Sequence, residues 1–178
     1  MSITSSRMIN AVLFYIIWWG TIFSIRHDLN LMPIVITLFI SLIHFIFFSN
    51  NKSEIIFIIS CLIISMIYES IYLNVGVIKY YGHLFDNNIF PPLWTICMWV
   101  SLGITINHSM YVLHDKWIII GLCGALFGPL GYLSLMKLNL LTFNYSLCNT
   151  LFILSATCSS SLLALFYLNK KIKESYGN

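Results

Sequence analysis

Six apolar stretches, separated by short polar links, leave this chain few ways to fold. They cover about 9–25, 31–49, 55–77, 91–107, 117–136 and 145–168 of its 178 residues. A hydrocarbon core of about 30 Å needs roughly 20 apolar residues per helical crossing, and inside lipid a backbone must satisfy its own polar groups. Only 8% of the residues are charged, against roughly 25% in soluble domains. The expectation is an all-α integral membrane protein: one polytopic domain over residues 1–178, built as a six-transmembrane-helix bundle.

The first stretch contains Trp18 and Trp19 and has no small-residue cleavage pattern before Arg26, so it reads as an uncleaved crossing rather than a leader. With six crossings, Arg7, Lys52, Lys116, Lys170, Lys171 and Lys173 share one side, facing Arg26, Lys79 and Lys137. That imbalance puts both termini in the cytoplasm. The net charge of +3 is scattered rather than gathered on a basic face, which argues against a nucleic-acid partner. Five cysteines lie inside apolar runs without C-x-x-C spacing and read as packing residues. The 78–90 connection mixes Tyr80, Tyr81, His83, Phe85 and Asp86, a composition suited to the membrane–water interface.

The third stretch carries Glu69, which hydrocarbon does not tolerate without a partner or a proton. At about 1.5 Å per residue Glu69 lies about 21 Å above the cytoplasmic end, while His44 is only about 7 Å up, too far apart to pair. Tyr132, Trp94 and Asn149 fall in the outer layer with Glu69, and Tyr72 shares its helix face with Ser65 and Gly76. Glu69, Tyr72, Trp94, Tyr132 and Asn149 are therefore candidates for a ligand-binding or proton-carrying layer, the alternative being a protonated Glu69 that only fastens helices together. Gly128 and Pro129 predict a kink facing Glu69, in a helix whose glycines at 121, 124, 128 and 131 allow close approach.

A second polar layer is expected near the cytoplasmic side from Asn10, His44, Asn107 and His108. His108, His114 and Asp115 are metal-ligating types, but their spacing matches no common site, so no metal is expected. There is no G-x-S-x-G, H-E-x-x-H, set of histidine boxes or aspartate-rich phosphate motif. No cofactor is expected, and any catalysis would rest on Glu69 or His108 alone.

Several motifs, taken in order, resemble a family. They are Asn10 with Trp18-Trp19, Glu69 followed by Gly76, Pro92-Leu93-Trp94 with Trp99, Asn107-His108-Ser109, and the GALFGPLGY stretch from Gly124 to Tyr132. They are similar to those of small bacterial inner-membrane proteins catalogued as a domain of unknown function (DUF 2878). Two departures stand out: Glu in place of an expected Asp at position 69, and no glycine soon after Tyr132. The resemblance implies a multi-pass inner-membrane protein whose genes often neighbour fatty-acid-modifying enzymes of the cyclopropane-fatty-acid-synthase kind. It points to membrane lipids and a lipid-modifying enzyme as partners.

Four function classes remain. The first is a lipid-binding or accessory component of fatty-acid modification. The others are a small proton-coupled transporter using Glu69, a membrane enzyme acting on lipid, and a purely structural subunit.

Overall fold

The computed structural model describes residues 3–48, 51–84 and 89–176. Its long helices follow the apolar stretches: α1 (Ile3–Arg26), α2 (Met32–Phe47), α3 (Lys52–Asn74), α4 (Leu93–Ile106), α5 (Trp117–Lys137) and α6 (Leu147–Tyr176). Two short strands, β1 (Ile78–Tyr80) and β2 (Leu141–Phe143), and a 3-10 turn, Tyr111–Leu113, complete the described elements. Phe85 and Asp86 of the expected interfacial loop lie outside the described residues, as does position 49 of the second stretch.

Four helices, α1, α3, α5 and α6, are long and apolar enough to cross a membrane, whereas α2 and α4 are apolar but shorter. Their 16 and 14 residues reach about 24 and 21 Å. Both nevertheless run the height of the bundle. Asn10 near the start of α1, His44 near the end of α2, Glu54 at the start of α3 and His108 just past α4 meet at one end. Tyr80 after α3, Trp94 at the start of α4 and Tyr132 late in α5 meet toward the other. Successive helices thus alternate in direction through α5, and α6 packs along α5 and α3.

The ends of α1, α3 and α5 share one chemistry. Each closes with a residue in the left-handed region, Asp28 (φ 58°), Gly76 (φ 76°) or Asn139 (φ 60°). The next amide folds back in each case: Leu29 N–H to Ser24 O, Val77 N–H to Tyr72 O, and Leu140 N–H to Leu135 O. These 6→1 closures satisfy carbonyls that a helix end leaves bare. After two of them the chain turns into β1 and β2, which pair antiparallel with Ile78 opposite Phe143 and Tyr80 opposite Leu141. Nothing in the periodicity announces this ladder, because each strand is only three residues long. Side chains alternate along β1, so Ile78 and Tyr80 are buried while Lys79 faces out.

Helices α5 and α6 form a tight pair. A Cβ placed on Gly124 would stand 2.6 Å from Cys158 O, and one on Gly128 would stand 2.4 Å from Cys158 Cβ. Pro129 sits inside α5, which continues to Lys137. Proline has no N–H to give the carbonyl four residues back, and Ser155 Oγ of α6 donates to that carbonyl, Ala125 O, at 2.9 Å.

Several boundaries differ from expectation, and α1 begins at Ile3 rather than at about residue 9. α6 continues past residue 168 to Tyr176, carrying Lys170, Lys171 and Lys173 on its last turns, where Lys171 and Glu174 pair at 2.8 Å. α3 begins earlier than residue 55, because Asn51 Oδ1 caps it by accepting from Ser53 N–H at 3.2 Å. Glu54, which the sequence placed in a polar link, is therefore in the first helical turn and buried. Outward faces are strongly apolar, as at Ile118 and Phe152, which are 80% and 76% exposed. Exposed apolar surface on this scale suits lipid rather than water.

Candidate functional site

Glu69 is 1% exposed and holds three hydrogen-bond donors from three different elements. Tyr80 of β1 donates its hydroxyl to Oε2 at 2.5 Å, and Trp99 of α4 donates Nε1–H to Oε1 at 2.6 Å. Tyr132 of α5 donates to the same Oε1. Trp99 can only donate, and none of the three brings a positive charge. A carboxylate offers about four acceptor positions, so three donors leave room for one more.

The expected outer layer is assembled in part. Tyr132 reaches Glu69 directly, as depth counting placed it. Tyr72 packs edge-on against the Tyr132 ring at 5.8 Å, but its hydroxyl meets Thr157 Oγ1 at 2.5 Å rather than Glu69. Trp94 is buried and crosses the Tyr80 ring at 6.1 Å, and its Nε1–H goes to Tyr81 O at 2.7 Å. Asn149 does not join. It lies in the first turn of α6, exposed, with its backbone N–H on Ser146 Oγ. The site residues that sequence reasoning missed are Tyr80 and Trp99. Trp99 stood in a family-like motif, and its depth on α4 could have been counted. Tyr80 enters only because the strand ladder turns it inward.

Beside Glu69 lies a cavity of about 430 Å³, within the roughly 300–1,000 Å³ range of small-molecule sites. Its polar end is Glu69 with Tyr80 and Tyr132, and its walls are apolar, including Met98, Leu102, Phe127 and Leu162. Along α5 it extends from Cys123 to Leu135, about 18 Å at the helical rise. No Lys, Arg or His occurs among the described residues that line it. The cavity reaches the outer surface between α1 and α5, where its lining residues Tyr15, Phe127 and Leu130 are exposed. α1 packs on α2 and α4, and α5 on α6. Across that seam the Trp18 ring overlies Gly131, whose added Cβ would meet Trp18 Cη2 at 3.5 Å.

The second layer forms around Glu54. His44 Nε2 and His108 Nε2 both lie on Glu54 Oε1, at 3.1 and 2.9 Å. Asn10 is fully buried beside them, with Nδ2 3.5 Å from His44 Nδ1 and 3.3 Å from Ile104 O. Asn107 departs from the expected group, since its Oδ1 accepts from Asn169 Nδ2 at 2.7 Å. His108, His114 and Asp115 do not converge. His114 Nδ1 faces Tyr111 O at 3.0 Å with Nε2 on Asn169, and Asp115 pairs with Lys170 at 2.7 Å. The Lys170 ammonium holds the exposed Asp115 carboxyl below its ordinary value, while burial pushes the His114 imidazole down.

Residues 7–162 match the model of a family described as "Protein of unknown function (DUF2878)", and the chain belongs to that family. No curated protein and no solved structure matches it.

Proposed function

We propose that this DUF2878 protein binds one lipid chain in the cavity beside Glu69, as a multi-pass component of the bacterial inner membrane. In this reading all six helices cross the bilayer, both termini are cytoplasmic, and the Glu54 end faces the cytoplasm. The observation that carries it is the pairing of a long apolar cavity with a single buried carboxyl at its polar end. The cavity's exposure between α1 and α5 supports entry directly from the bilayer. A chain held there would be presented to a lipid-modifying enzyme, the partner that the resemblance implies.

The lining also selects the head group. Tyr80, Tyr132 and Trp99 spend their hydrogens on Glu69, and among the described residues lining the cavity there is no cationic side chain to receive a phosphate or carboxylate. The vacant acceptor position on Glu69 favours a ligand that brings a donor, such as a hydroxyl. Neutral, donor-bearing lipids fit; anionic head groups do not. A chain arriving from the bilayer leaves one hydrocarbon environment for another and gains no hydrophobic transfer energy, so packing against the apolar walls and the hydrogen bond to Glu69 set the affinity, and the carboxyl fixes the register.

The test is mass spectrometry of lipid retained by the protein purified from native membranes in mild detergent. The expected result is close to one lipid per wild-type chain, retained in Gly131→Ala and lost in Gly131→Phe, whose ring would fill the seam against Trp18. No retained lipid, or equal retention in Gly131→Phe, would overturn the reading.

A further inference from the structure

We propose that His44, Glu54 and His108 form a binding site for a divalent transition-metal ion of the zinc class, at the opposite end of α3 from Glu69. The three side chains come from the end of α2, the first turn of α3 and the turn after α4. Their ligand atoms lie within 4.8 Å of one another. Two imidazole nitrogens and one carboxylate oxygen are the donor set of an open zinc site, with the remaining positions left to water. Tetrahedral bonds of about 2.0–2.1 Å need ligand atoms a little over 3 Å apart. Glu54 Oε1 already stands 3.1 and 2.9 Å from the two Nε2 atoms. His44 and Glu54 are buried, whereas the His108 side chain keeps 15% of its surface exposed and so marks the entry side.

The surrounding hydrogen bonds carry the argument further. Ser109 Oγ lies 2.7 Å from Asn10 Oδ1 and 2.9 Å from Arg7 O, two acceptors for one hydroxyl proton. A half-turn of the Asn10 carboxamide resolves this conflict. Nδ2 then donates to Ser109 Oγ, the hydroxyl donates to Arg7 O, and Oδ1 faces His44 Nδ1. A metal on Nε2 leaves the imidazole proton on Nδ1, where it needs such an acceptor. The half-turn gives up the 3.3 Å bond from Asn10 Nδ2 to Ile104 O and the 3.4 Å bond from Ser109 N–H to Asn10 Oδ1, so it is favoured only when the metal is bound. Asn10 is thus a positioning residue, and metal binding ties α1, α2, α3 and the end of α4 together.

The experiment uses the full chain in detergent with any affinity tag removed. Co2+ is titrated as the probe by its visible absorption and then displaced with Zn2+. One Co2+ per wild-type chain is expected. Glu54→Gln and His108→Ala should each weaken binding by more than the roughly 10- to 100-fold that loss of an outer-shell partner costs, and Asn10→Ala should fall within that range. X-ray absorption of the Zn2+-loaded wild-type protein should show two imidazoles bound, a readout that does not depend on the variants folding. No Co2+ uptake by the wild-type protein would overturn the proposal. So would a spectrum without imidazole ligands, or uptake unchanged in folded Glu54→Gln and His108→Ala.

Discussion

Trp99 Nε1 donates to Glu69 Oε1 at 2.6 Å, joining α4 to α3 through a group that can only give a hydrogen. The direction of that bond decides how Glu69 can be replaced. In Glu69→Gln the amide oxygen can still accept from Trp99 and Tyr132, while the new NH2 faces Tyr80, whose hydroxyl is able to accept. Glu69→Leu leaves three donors without an acceptor, at about 1–3 kcal/mol for each one that stays buried. Unfolding in detergent should therefore show Glu69→Gln close to wild type and Glu69→Leu the less stable by several kcal/mol.

The α5–α6 contact separates two glycines only three positions apart. A methyl at Gly124 meets Cys158 backbone at 2.6 Å, which cannot yield without parting the helices. At Gly121 the nearest atom is Ser159 Oγ at 3.4 Å, an ordinary contact. Thermal unfolding should show Gly124→Ala destabilised by about 1–3 kcal/mol. Gly121→Ala should be unchanged or stabilised by up to about 1 kcal/mol, from the better helix propensity of alanine.

Ser155 supplies Ala125 O with the hydrogen that Pro129 cannot. Ser155→Ala should cost about 1 kcal/mol. Replacing Pro129 with Ala at the same time should recover most of that loss, since the helix then makes the bond itself. A double-mutant cycle with no coupling between the two positions would refute this account of how α5 tolerates its proline.

His114 supplies a pH dependence with a definite sign. Burial lowers its folded-state affinity for a proton, so the unfolded chain takes up the proton first as pH falls. The stability it contributes is present above the ordinary imidazole value of about 6.5 and is lost as pH drops from there toward the lower folded-state value. Melting temperatures of the wild-type protein should fall more steeply between about pH 7 and 5 than those of His114→Gln. Parallel curves would remove His114 from the acid response.

The helices were legible because lipid demands long apolar stretches, and counting the helical rise placed Tyr132 at the depth of Glu69. The rest depended on contacts that no local pattern encodes. Tyr80 reaches Glu69 because residues 78–80 pair with 141–143, some sixty positions along the chain. Glu54 looked like a link residue because a charge at a helix start usually faces solvent, yet the Asn51 cap draws it into the bundle between two histidines. Asn149 failed for the opposite reason: α6 begins at Leu147, so its first turn leaves the side chain at the rim.

The most direct test of the lipid cavity is native mass spectrometry of the detergent-solubilised protein, stripped of bound lipid and then offered equal amounts of 1-hexadecanol and hexadecanoate. The account predicts one alcohol adduct per chain, little acid adduct, and loss of the alcohol adduct in Gly131→Phe. A preference for the acid, or an alcohol adduct that survives Gly131→Phe undiminished, would contradict it.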